Sequence, residues 1–174
     1  MSKNYVGRSP GQPAPDTGPV PTAGRLVQSR SHVRIDYVAQ TGPAISISDA
    51  VPQNTIGTEY LSVADYTPTV LDARIRVRVH FNYTVTGVLG VMAALFRSDN
   101  SGARACGVFI TGGTDYEGQI LFEHEWIVDT LTPLTWSVRA GGSTSTAVRM
   151  NGRASGRIYG GAWQSFLRID EFAP

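Results

Sequence analysis

From Leu71 to Tyr83 the chain alternates without a break. Leu71, Ala73, Ile75, Val77, Val79, Phe81 and Tyr83 fall on one side; Asp72, Arg74, Arg76, Arg78, His80 and Asn82 fall on the other. A period of two places each set on one face of a β-strand, whereas a period of 3.6 would scatter both around a helix. The segment is predicted to be a strand with one face in a core and one in solvent. At about 3.3 Å per residue it would run roughly 40 Å, longer than most strands, so a bend or bulge along it is expected.

Shorter segments of strand character recur from Arg25 onward. They are His32–Val38, with Val33, Ile35 and Tyr37 on one face, then Ala44–Ile47, Tyr60–Tyr66, Gly90–Arg97, Ala105–Thr111, Gln119–Val128, Leu134–Ala140, Thr146–Asn151 and Ser165–Phe172. Between them stand Ser98-Asp99-Asn100-Ser101-Gly102, Thr111-Gly112-Gly113-Thr114-Asp115, Gly141-Gly142-Ser143, Asn151-Gly152 and Gly160-Gly161. Glycine and Asn-Gly supply the positive φ angles of tight hairpins. Only 17% of residues are charged and 19 are glycine, a composition of turns and strands rather than helices. The predicted fold is all-β: an antiparallel, jelly-roll-like sandwich of about eight to ten strands over residues 31–174, preceded by an extended arm over residues 1–30.

The arm differs in composition from the rest. Pro10, Pro13, Pro15, Pro19 and Pro21 are half of the chain's ten prolines. Proline lacks the N–H a sheet requires, and the few apolar side chains cannot offset the entropy of ordering. A tether with Tyr5, Val6 and these prolines as its contact residues is expected, held by other proteins. Its sparse charges (Lys3, Arg8, Asp16) do not suit nucleic acid.

A net charge of +1 argues against a general nucleic-acid binder. The N-terminal charges are followed by no apolar run, so no secretory leader is expected, and no window approaches the roughly 20 apolar residues of a membrane span. The single cysteine, Cys106, excludes an intrachain disulfide and is read as a small buried hydrophobe. His32, His80 and His124 lack partners at metal-ligand spacing. No phosphate-binding glycine loop opens a helix, and no Gly-x-Ser-x-Gly elbow is present. Asp115, Glu117, Glu123, Glu125 and Asp129 are strand and turn residues, with no acid–base pair legible among them. No cofactor or catalytic residue is expected.

Two features are candidates for contact. Arg74, Arg76, Arg78 and His80 form a stripe that either docks a partner or pairs with Glu123 and Glu125 on a neighbouring strand. Among the aromatic residues, Phe122 and Trp126 share parity and should face the core, while Trp163, after Gly160-Gly161-Ala162, suits an exposed contact. Asp99, Asn100, Asp115, Tyr116 and Trp163 are the candidate ligand-facing turn residues.

Met92-Ala93-Ala94-Leu95-Phe96-Arg97-Ser98-Asp99, Trp136-Ser137-Val138-Arg139-Ala140-Gly141, Met150-Asn151-Gly152, Tyr159-Gly160-Gly161 and Ser165-Phe166-Leu167-Arg168-Ile169-Asp170-Glu171 carry a resemblance. Roughly residues 70 to 174 resemble the jelly-roll modules of bacteriophage virions, found in tail fibres, head fibres and capsid-decorating proteins. These are similar in architecture to the trimeric knobs of the tumour-necrosis-factor and C1q class. The resemblance implies a homotrimer on a virion surface, made in the bacterial cytoplasm; the arm, which the resemblance does not cover, is expected to anchor it to other virion proteins. It brings no catalytic residues. Expected subunit contacts are Arg74, Arg76, Arg78, His80, Phe81, Leu167, Ile169 and Phe172. A host glycan or receptor is a further possible partner, and a capsid subunit is an alternative role.

Overall fold

The computed structural model describes residues 23–46, 48–86, 89–111, 116–144 and 147–174. Its strands are β1 (Leu26–Arg34), β2 (Val38–Gln40), β3 (Thr58–Tyr66), β4 (Arg74–Val85), β5 (Leu89–Arg97), β6 (Ala105–Thr111), β7 (Tyr116–Ile127), β8 (Leu134–Gly142), β9 (Val148–Met150), β10 (Gly152–Arg153), β11 (Gly156–Arg157) and β12 (Ser165–Phe172). A 3-10 turn, Tyr159–Gly161, precedes β12.

Eight long strands form two sheets. In the first, β12 pairs β1 on one side and β4 on the other, and β4 pairs β7 along its far edge. Short β9 continues past the end of β12 along β4, and β2 pairs β9. The second sheet has the order β3-β8-β5-β6. The antiparallel partners are thus first with last, second with seventh, third with sixth and fourth with fifth of the long strands. That is a long folded hairpin rolled over on itself, the double Greek key of a jelly roll.

β4 sets the core. Ile75, Val77, Val79, Phe81, Tyr83 and Val85 are all 0–2% exposed and meet Val91, Ala93 and Leu95 of β5 and Trp136 and Val138 of β8 in one cluster. Each such burial contributes about 1.5–3 kcal/mol. The predicted bulge in β4 is absent: its pairing runs unbroken from Arg74 opposite Ile127 to Val85 opposite Tyr116. Register shifts fall instead in the β1–β12 and β3–β8 pairs.

Several predicted boundaries move. Leu71 is 49% exposed and outside the strand, because Asp72 turns the chain at φ 62°. Pairing of β1 starts at Leu26, so residues 26–30, expected as arm, are sheet. Val33 and Ile35 are 49% and 46% exposed. Residues 44–46 form no strand and lie across β8, with Ile45 fully buried and its N–H donated to the Gly142 carbonyl. Ile47 lies outside the described residues.

Two carboxylates on β12 tie the sheets to their connections. Glu171 is buried and accepts from the Thr69 N–H (2.8 Å), the Thr69 hydroxyl (2.6 Å) and the Tyr66 hydroxyl (3.1 Å), which pins the β3–β4 connection. Asp170 faces the opposite way, also buried, and accepts from Ser29 Oγ (2.6 Å), Arg168 Nε (2.9 Å) and Arg78 Nη2 (2.6 Å). Burial opposes its ionisation, but the Ser29, Arg168 and Arg78 hydrogen bonds outweigh that and hold its carboxyl below the usual range. A depressed folded-state pKa stabilises above the unfolded value and is lost as pH falls through the folded one. Asp170→Asn is expected to cost about 1–3 kcal/mol at pH 7, the deficit shrinking as pH falls below about 4. Urea denaturation of both proteins from pH 3 to 8 checks this; a pH-independent difference contradicts it.

Candidate functional site

The arginine stripe lies on the outer face of the first sheet, as predicted, and is occupied. β4 and β7 place Arg76 opposite Glu125 and Arg78 opposite Glu123. Arg76 pairs Glu125 at 3.2 Å and Glu123 at 3.9 Å, Arg74 reaches Glu125 at 3.8 Å, and Arg78 pairs Asp170 at 2.6 Å. Arg74 and Arg76 also lie over the Phe172 ring, 5.3 and 5.6 Å from its centroid. Exposed ion pairs of this kind stabilise by about 0–1 kcal/mol each. His80 packs edge-on against Phe166. Phe81, Leu167 and Ile169 cannot be subunit contacts as expected: each is fully buried, pointing between the sheets.

The Asp99 turn is a structural lock. Arg97, 6% exposed, has its guanidinium 4.1 Å from the Trp126 ring and 5.6 Å from the Trp136 ring. It donates to both Asp99 oxygens (2.8 and 2.6 Å), and Arg104 adds a third bond at 3.1 Å. The Arg97 hydrogen bonds, with Arg104 reinforcing them against partial burial, hold the Asp99 carboxyl below its ordinary range. Asn100 Oδ1 accepts from the Gly102 N–H at 2.7 Å. Both residues therefore serve the turn. Phe122 and Trp126 pack against the core as their parity predicted.

The strand β6 departs furthest from expectation. Among the described residues it ends the second sheet, paired with β5 on one side only. Across the gap it lies close to β7, where a Cβ on Gly107 would sit 2.5 Å from Ile120 Cγ2. Val108, Phe109 and Ile110 are 42%, 38% and 74% exposed, and Cys106 is exposed, not buried. Its apolar run resembles a core strand, but its position at the rim leaves these side chains uncovered. Leu121 of neighbouring β7 is 63% exposed.

A cleft of about 420 Å³ lies past the far end of β6 from the Asp99 turn, lined by Phe109, Tyr116, Glu117, Gly118, Gln119, Tyr159 and Trp163. Phe109 and Tyr116 stack at 5.7 Å; Tyr159 and Trp163 meet edge-to-face at 6.2 Å. Glu117 is ion-paired with Arg153 and accepts from the Tyr159 hydroxyl at 3.4 Å. Of the predicted turn residues, the structure brings Tyr116 and Trp163 together here and leaves Asp99 and Asn100 at the opposite end of β6. Asp115 lies outside the described residues, as do Tyr5, Val6, Pro10, Pro13, Pro15, Pro19 and Pro21. Phe109, Gln119 and Tyr159 were not singled out from sequence; the signal for Tyr159 was an aromatic residue abutting Gly160-Gly161. Among the described residues no group of three or more His, Cys, Asp or Glu is placed to hold a metal ion.

No protein-family model and no curated protein matches the chain. Among solved structures it is similar to the insecticidal delta-endotoxin Cry8Ea1 of Bacillus thuringiensis, at 13% identity and TM-score 0.32, over 82% of this chain and 19% of that one. It is also similar to structures of infectious bursal disease virus. The Gx strain gives 10% identity and TM-score 0.33, over 98% of this chain and 42% of the other. The Gt strain gives 13% and 0.33, over 98% and 41%. The chain spans less than half the length of these proteins, and its jelly-roll assignment follows from the strand pairing itself.

The exposed position of Cys106 has a direct check. At a dilution that keeps the chain monomeric and without denaturant, its thiol is expected to react with a disulfide reagent at close to the rate of a free cysteine. Reaction of the monomer only after unfolding would contradict the placement of β6.

Proposed function

We propose that this chain is a non-catalytic structural protein of a virion, a jelly-roll module whose copies associate through the β6 edge. The single observation that carries this is the edge itself: seven residues, Ala-Cys-Gly-Val-Phe-Ile-Thr, without a charge and, among the described residues, without a pairing partner on one side. Sheet edges left open in this way pair or pack with other chains unless charge, proline or a covering segment prevents it. The β12–β4 part of the first sheet's outer face, by contrast, is ion-paired, while Leu121 and Ile127 of β7 are exposed apolar side chains on that face's β4–β7 side.

The jelly roll recurs in viral capsid and lectin domains, and fold alone does not assign a role. The resemblance of residues 70–174 to phage jelly-roll modules favours a bacteriophage head fibre, decoration protein or fibre tip at the virion surface. The arm would anchor it to other virion proteins. A homotrimer is the assembly proposed. In a ring of three, each β6 edge meets a different patch on its neighbour, whereas a two-fold pair would set the same patches together.

Light scattering on the full chain tests this. The wild type is expected at three times its 18.7 kDa mass, and Ile110→Glu at the monomer mass with unchanged circular dichroism. A wild-type monomer at every concentration, or an Ile110→Glu trimer, overturns the assignment.

A further inference from the structure

We propose that the cleft at the end of β6 binds a neutral saccharide, with Tyr116, Tyr159 and Trp163 as stacking surfaces and Glu117 and Gln119 as hydrogen-bonding groups. This goes beyond the structural role and does not depend on self-association.

Sugar rings present an apolar C–H face and a rim of hydroxyls, so a site for them needs flat aromatic surface beside planar polar groups. The cleft supplies both. Two aromatic pairs border it, Phe109 with Tyr116 and Tyr159 with Trp163. Glu117 offers carboxylate oxygens, and exposed Gln119 offers both a donor and an acceptor. Its volume of about 420 Å³ lies within the range of small-molecule sites.

The local backbone is costly to hold and serves no core. Tyr159 sits at φ 52°, in the left-handed region that side chains other than glycine seldom adopt, and Gly160 and Gly161 follow at 60° and 94°. The turn leaves Tyr159 64% exposed. Conformations of this kind persist where surrounding structure enforces them, and they concentrate at ligand clamps. Beneath the cleft, the Tyr83 hydroxyl lies against Gly118, fully buried and without a hydrogen-bond partner among the described residues. A Cβ at position 118 would stand 2.5 Å from that oxygen.

The charge argues for a neutral ligand. Glu117 places a carboxylate on the wall and is ion-paired with Arg153, and the Arg157 guanidinium packs against Gly161 of the adjacent turn, neither arginine lining the cleft itself. Acidic sugars would meet that carboxylate, while hydroxyl groups can donate to it. On a virion, a ligand of this class would be a host surface polysaccharide.

An array of neutral hexose and N-acetylhexosamine oligomers, with sialylated oligomers beside them, tests the proposal on the full chain. Hits are followed by isothermal titration calorimetry. Binding to neutral members is expected, and Trp163→Ala and Tyr159→Ala should each weaken it by about tenfold or more. Both variants should keep the wild-type circular dichroism and solution mass, so that loss of binding is separate from loss of assembly. Glu117→Gln should weaken binding less than either. No binding to any neutral oligomer, binding confined to sialylated ones, or full affinity in both aromatic variants overturns the proposal.

Discussion

The two-sided pairing of β4 is the constraint on which the rest of the structure depends. It is the central strand of the first sheet, hydrogen-bonded to β12 and β7, with β9 extending along its end. Side chains alternate with a period of two, so a slip of one residue would turn Arg74, Arg76 and Arg78 inward and expose Ile75, Val77 and Val79. Burying three guanidinium groups without partners is prohibitive. The register therefore has one solution. Once it is set, Glu125 lies opposite Arg76, and Asp170 and Glu171 are delivered to opposite faces of β12. There they bind the β1 edge and the β3–β4 connection respectively.

Sequence patterning reveals strands in proportion to how asymmetrically they are buried. β4 was legible because every inward position is apolar and every outward one polar as far as Asn82. The Arg/Glu ladder was legible for the same reason, since Glu123 and Glu125 share parity on β7. β1 was not: Leu26-Val27-Gln28-Ser29-Arg30 buries few side chains, and its place is set by backbone bonds to β12 and by Ser29 on Asp170. Val33 and Ile35 are exposed despite their strand character, because β-branched side chains record strand preference, not burial. Cys106 misled because an apolar run identifies a strand but not whether that strand lies at the rim. The cleft joins Tyr116 to Tyr159 and Trp163, more than forty positions away. No local pattern encodes a juxtaposition made by the roll of the whole hairpin.

The two sides of the sandwich divide the work. On the first sheet, charges are matched across strands, Phe172 lies under two guanidinium groups and Phe166 packs against His80. At the rim of the second, Val108 and Ile110 meet solvent with no such cover. An uncharged, apolar strand at an edge is the kind that other chains pair with or pack against, and the proposed self-association would cover β6.

Amide hydrogen exchange across a dilution series tests that account most directly, because an edge strand that finds a partner gains protection its own sheet cannot provide. Peptides covering β6 are predicted to exchange more slowly as protein concentration rises, while those covering β4 stay protected throughout. Exchange in β6 that is independent of concentration would contradict it.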